Sequence, residues 1–106
     1  MAKYLLEVTY TADGAKGLLK DGGSKRRQVA DQAIASAGGK MEAFYFAFGG
    51  ADAFVIVDAP DHASVAAAAL TINASGFVRS KTVVLLSPEE LDQATKKSVS
   101  YRGPGQ

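Results

Sequence analysis

Residues 41–58 read MEAFYFAFGGADAFVIVD: two apolar runs, MEAFYFAF and AFVIVD, joined by Gly49-Gly50-Ala51-Asp52. Aromatic and β-branched residues on either side of a glycine-rich turn predict a β-hairpin. On the first strand Phe44, Phe46 and Phe48 fall on one face, and Met41, Ala43, Tyr45 and Ala47 on the other. Both faces are therefore apolar, and the rest of the chain can be placed against this hairpin.

Upstream, Lys3–Tyr10 alternates, with Tyr4, Leu6, Val8 and Tyr10 opposite Leu5, Glu7 and Thr9, as a strand requires. Thr11-Ala12-Asp13-Gly14 ends it, Ala15–Lys20 has room for a short helical turn, and Asp21-Gly22-Gly23 breaks the chain again. Ser24 then stands as the N-cap of a longer helix. Its apolar stripe is Val29, Ala30, Ala33, Ile34 and Ala37, and Gly38-Gly39 stops it.

Downstream, Ala59-Pro60-Asp61 turns the chain, and Asp61 caps a second, alanine-rich helix running to about Gly76. Phe77–Leu86 reads as a last strand. Ser87-Pro88-Glu89-Glu90 opens a short helix, with proline in its first position and acids in its first turn. Residues 1–97 form the expected domain, and Ser98–Gln106, rich in serine and glycine, is a tail.

The order β-α-β-β-α-β plus a C-terminal helix predicts an α+β, ferredoxin-like sandwich: a four-stranded antiparallel sheet with helices on one face. Two helices cover only one side of such a sheet. An antiparallel sheet with a wet face alternates apolar and polar residues more cleanly than this hairpin does. The bare face therefore calls for a second copy of the chain, which predicts a homodimer.

Twelve basic and eleven acidic side chains among 106 residues leave a net charge of +1, so no field draws in nucleic acid or an anionic membrane. Cysteine is absent, which excludes disulfides, thiolate metal sites and a cysteine nucleophile and suits a cytoplasmic setting. MAKYLLEVTY lacks the apolar core of a signal peptide, and no run approaches the roughly 20 residues that span a bilayer.

Several stretches in order resemble the GYD-domain family of the dimeric α/β-barrel superfamily. They are Tyr4-Leu5-Leu6 with Tyr10-Thr11, Gly22–Arg27, Glu42–Gly49, Asn73-Ala74-Ser75-Gly76, and Ser98-Val99-Ser100-Tyr101-Arg102. The Gly-Tyr-Asp that names the family falls on Gly50-Ala51-Asp52, so its tyrosine is replaced by Ala51 while the turn-forming glycine and the aspartate remain. Superfamily relatives include monooxygenases of antibiotic synthesis, muconolactone isomerase-like proteins, chlorite dismutase-like haem proteins and ligand-sensing domains. A range so wide selects no activity.

Candidate site residues come from local anomalies. Lys25-Arg26-Arg27 sits in a first helical turn, where the macrodipole disfavours cations. With Ser24 as cap, Ser24, Lys25 and Arg26 are the candidate anion site; the alternative is a solvated basic edge paired with Asp21. Tyr45 on the hairpin and Arg79 on the last strand could polarise a ligand carbonyl or carboxylate, with Asn73 as a further hydrogen-bonding group. The competing roles are interface packing for Tyr45 and helix termination for Asn73.

His62 is the sole histidine, which rules out a multi-histidine metal site within one chain. It leaves a single axial haem ligand formally open, but a place directly after a helix cap suits an exposed residue. No metal and no cofactor is expected. Asp52 suits closure of its own turn, and Asp58 suits either burial or a chain reversal. The expectation is a small-molecule-binding domain, with cofactor-free catalysis open to it, whose pocket lies between sheet and helices and uses Tyr45, Asn73 and Arg79. The alternative is a non-enzymatic interaction or stress-associated module with a filled interior.

Overall fold

The first strand, β1 (Ala2–Tyr10), buries alternate residues as its sequence dictates: Tyr4 and Leu6 are enclosed, and Val8 packs against them. The structure, a computed structural model, describes all residues from 1 to 106. After β1 the chain enters α1 (Ala12–Asp21) at once. The Thr11 hydroxyl oxygen accepts from the Gly14 N–H at 3.2 Å and donates to the Gly76 carbonyl at 2.8 Å, so Thr11 caps the helix and ties it to the start of the last strand. The expected loop at 11–14 is thus the first turn of a ten-residue helix.

Gly14 makes this possible. A Cβ there would lie 1.9 Å from the Phe77 carbonyl oxygen, so only glycine lets α1 come this close to the sheet. Gly22, at φ +81°, ends α1 and begins α2 (Gly23–Ser36). That left-handed angle is why the two helices meet with no linker. It also corrects the expectation for Ser24, which falls inside the first turn of α2: Gly22 holds the cap position and offers no side-chain acceptor.

The hairpin forms from β2 (Lys40–Phe46) and β3 (Ala53–Ala59). Its loop is Ala47–Asp52, closed by Ala47 N–H donating to the Asp52 carbonyl at 2.8 Å, longer than the four-residue turn expected. Met41 pairs with Val57 and Ala43 with Ile56, so Glu42 is a β-bulge. The extra residue moves Met41 to the core face beside Phe44, away from Ala43 and Tyr45. Phe48 leaves the strand altogether and stands fully exposed in the loop.

Next comes α3 (His62–Ala74), capped by Asp61, whose carboxylate accepts from Ser64 N–H at 2.8 Å and is held below the usual carboxylate range by that bond. β4 (Val78–Leu85) follows, then α4 (Pro88–Thr95), which opens on a complete capping box between Ser87 and Glu90. The sheet order is β2-β3-β1-β4, antiparallel throughout, the ferredoxin-like arrangement expected from the sequence. The core is Tyr4, Leu6, Ile34, Val55, Val57, Ala59 and Val65, drawn from the sheet and from α2 and α3.

Helices α2 and α3 lie on that one face. Across the opposite face, the register sets Leu5 beside Ile56 and Val83, with Phe54 and Tyr45 adjacent. Lys3 bridges Asp58 at 3.0 Å and also Glu42 at one end of this apolar field, and Glu7 lies opposite Lys81 at the other. Asp58 is thus an ion-pairing residue whose carboxyl is held low by its neighbours Glu42 and Lys3.

From Leu86 onward the chain leaves the body, and α4 buries no residue. The radius of gyration is 16.9 Å, where about 13 Å is usual for a compact chain of this length. No helix is long and apolar enough to cross a membrane.

Candidate functional site

The two long helices lean on opposite edges of the sheet, α2 over β2 and α3 over β4, with a gap between them. Beneath that gap is a cavity of about 240 Å³ walled by Leu6, Val8, Val29, Phe44, Val55 and Ile72. A second opening of about 410 Å³ adjoins it under the hairpin loop, walled by Ala15, Leu18, Phe46 and Phe48. Tyr10 lines both, and Arg26 lines the inner one.

Tyr10 is the last residue of β1, on the same face as Tyr4, Leu6 and Val8. Its N–H donates to Asp52 Oδ2 at 2.8 Å, and Asp52 N–H donates to the Val8 carbonyl at 2.8 Å. The Asp52 carboxylate therefore ties the hairpin loop to β1 and does not close its own turn as expected. Burial pushes the Tyr10 phenol pKa up, opposed by the Arg26 guanidinium and helped slightly by the Asp52 carboxylate. The phenol is consequently a neutral donor at neutral pH, beside a permanent cation. Gly23 shapes the same corner, because a Cβ there would meet the Phe46 ring at 2.9 Å.

Of the candidate anion residues, only Arg26 reaches this cavity. Ser24 is exposed and caps nothing, while Lys25 is exposed and pairs with Asp21 at 3.8 Å. Such an exposed pair, one turn apart on a helix, contributes little. Chemically, the corner combines an apolar chamber with one hydroxyl donor, one guanidinium and the Asp52 carboxylate, which Tyr10 N–H already engages, a set that suits a carbonyl or carboxylate placed on the Arg26 side of an otherwise apolar molecule.

The residues expected to share one pocket do not meet. Tyr45, 71% exposed, and Arg79 lie on the sheet face turned away from the helices. They belong to opposite edge strands, about 14 Å apart across three strand spacings. The sheet's alternation is the reason: each falls in register with the outward positions of β3 and β1. Arg79 instead lines an outer recess of about 580 Å³ with Glu7, Lys81 and Ala51, the position of the missing family tyrosine. Asn73 is on the helix side, where its Oδ1 accepts from Ser80 N–H at 2.9 Å and Ser80 Oγ at 3.1 Å, so it fastens α3 to β4.

His62 is exposed, as its position predicts, yet it has an orienting partner absent from its sequence neighbourhood. The buried Tyr4 hydroxyl and His62 Nδ1 share a hydrogen bond of 2.6 Å, with the rings edge to face at 5.6 Å. The pair stands at one end of a groove of about 450 Å³ between α3 and β4, which also takes in Leu70, Asn73, Thr82 and Val84. No three histidine, aspartate or glutamate side chains converge as a metal site.

Tyr10 is the site residue that sequence reasoning missed. A signal existed, since Tyr10 ends the inward Tyr4–Leu6–Val8 face with a hydroxyl. A family model, that of the GYD domain, matches residues 4–95. Neither the comparison with curated proteins nor that with solved structures returns a match.

Proposed function

Since the chain belongs to the GYD domain family, whose match runs through the sheet and all four helices, we propose that it is a homodimeric small-molecule-binding protein. Its ligand is mainly apolar and carries a carboxylate or carbonyl that engages Tyr10 and Arg26. The observation that carries this is the apolar cavity between sheet and helices, with a neutral phenol and a guanidinium at one corner. A role in assembly alone would leave that space filled.

Pairing through the bare sheet face accounts for the apolar field of Leu5, Phe54, Ile56 and Val83. The fringe of Lys3, Asp58, Glu7 and Lys81 supplies the polar rim of such an interface. A cytoplasmic setting suits a chain without cysteine.

Calorimetric titration with 2-naphthoate and octanoate, followed by a panel of aromatic and medium-chain carboxylates and carbonyl compounds, tests the ligand. At least one compound should bind. Arg26→Gln should weaken that binding about tenfold or more, the loss of a hydrogen bond to a charged group worth roughly 1.5–3 kcal/mol. A panel with no binder, or binding indifferent to both Arg26→Gln and Tyr10→Phe, refutes the proposal.

A further inference from the structure

We propose that the C-terminal arm, Leu86–Gln106, crosses to a second copy of the chain and lays Ser98–Arg102 along the free edge of that copy's β4, beside the α3 groove. This rests on the homodimer proposed above and adds a second contact to it.

The receiving edge comes first. β4 pairs only with β1; along its other side Ser80 N–H donates to Asn73 Oδ1, and no backbone–backbone hydrogen bond is made beyond it. Its first half carries Arg79 and Lys81, charges of the kind that deter stray strand pairing. The second half, Thr82-Val83-Val84-Leu85, has no charge, no proline and no bulge, with Val84 53% exposed. Next to it the groove presents Leu70, itself 70% exposed, together with Ala66 and Ala69. An uncharged free edge flanked by an apolar groove is the geometry that takes up an added strand, the edge bonding its backbone and the groove its alternate side chains.

The arm supplies the matching half. α4 spans eight residues, shorter than a helix that holds in water without support, and it buries nothing on its own body. Beyond it, Ser98-Val99-Ser100-Tyr101-Arg102 alternates polar with β-favouring residues. Val99 is 80% and Tyr101 79% exposed, and no backbone group of the segment is hydrogen-bonded. A five-residue segment with strand-like alternation and no partner, and an uncharged edge without a strand, occur in the same chain. Two-fold symmetry satisfies both at once, each arm filling the other copy's edge in a closed pair.

Sedimentation equilibrium on the full chain tests this with two double variants at exposed positions: Val99→Asp/Tyr101→Asp in the arm and Leu70→Glu/Val84→Glu in the groove. Each should raise the dimer dissociation constant at least tenfold while leaving the circular dichroism spectrum unchanged. Mixing the two should yield a heterodimer tighter than either variant homodimer, because one intact arm then meets one intact groove. A wild-type dimer whose affinity the arm variant leaves unaltered overturns arm exchange and spares sheet pairing. Variants that lower the melting temperature without altering the association constant place the arm on its own edge, which also overturns the proposal. A wild-type chain that stays monomeric at 100 µM overturns the dimer and the exchange together.

Discussion

Two glycines in α1 should respond in opposite directions to the same substitution. Gly14→Ala places a Cβ 1.9 Å from the Phe77 carbonyl oxygen and 2.9 Å from its carbon, both backbone atoms that cannot swing aside. The helix must therefore lift from the sheet. That costs about 1–3 kcal/mol as overpacking. It also strains Thr11 N–H to the Phe77 carbonyl at 3.0 Å and Thr11 Oγ1 to the Gly76 carbonyl at 2.8 Å, roughly 1 kcal/mol each if lost. Against this stands a helix-propensity gain of about 1 kcal/mol.

The balance is a net loss of about 2–3 kcal/mol, or a melting temperature lower by roughly 10 °C for a domain of this size. Gly17→Ala, in the same helix with nothing within 4 Å of the added carbon, keeps only the propensity term and should raise the melting temperature by a few degrees. Thermal denaturation followed by circular dichroism at one fixed protein concentration measures both. Gly14→Ala with wild-type stability would refute the close approach of α1, and so would a Gly17→Ala that falls as far as Gly14→Ala. The same approach sets one wall of the adjoining opening through Ala15 and Leu18, where Tyr10 also lies, so Gly14→Ala should also weaken ligand binding.

Three further outcomes follow from the geometry. His62→Ala strands the buried Tyr4 hydroxyl and should cost about 1–3 kcal/mol, whereas Tyr4→Phe leaves an exposed imidazole that water can serve and should cost about 0.5–1.5 kcal/mol; urea denaturation of both decides whether the order holds. The Tyr10 phenol is pushed up by burial, so below pH 10 it is protonated in both folded and unfolded chains and contributes no slope. As pH rises past 10 the unfolded chain ionises first and stability falls until the folded value is reached; Tyr10→Phe should flatten that decline in alkaline melts. Ile56→Glu sets a charge at the centre of the bare sheet face and should give a light-scattering mass of one chain with an unchanged circular dichroism spectrum.

The fold was legible where the deciding chemistry is local. Asp61 as a cap, the Gly38 and Gly76 stops with φ of +87° and +79°, and the Ser87-Pro88 helix start all depend on neighbours within a few residues. So does the period-two burial of β1 and β3, and with it the β-α-β-β-α-β order. What escaped depends on distant partners. Thr11-Ala12-Asp13-Gly14 looks like a loop until the Phe77 carbonyl, far along the chain, explains why a glycine must stand there. The Glu42 bulge follows from how β2 meets β3 and has no signature within MEAFYFAF.

The site was less legible for the same reason. Arg26 stood out as a cation at a helix start, but its companion is Tyr10 on another element, and Ser24 and Lys25 beside it turn outward. Tyr45 and Arg79 carry suitable chemistry on the wrong side of the sheet. A side of a strand is set by register, and register needs the partner strands.

The central claim, that the cavity beside Tyr10 and Arg26 holds a small apolar acid or carbonyl compound, is tested most directly by native mass spectrometry of freshly purified protein at neutral pH. The wild-type chain should carry a bound molecule of a few hundred daltons, identifiable after release, and Arg26→Gln purified in parallel should carry much less of it. A wild-type spectrum showing only bare polypeptide, or equal occupancy in the Arg26→Gln variant, contradicts the claim.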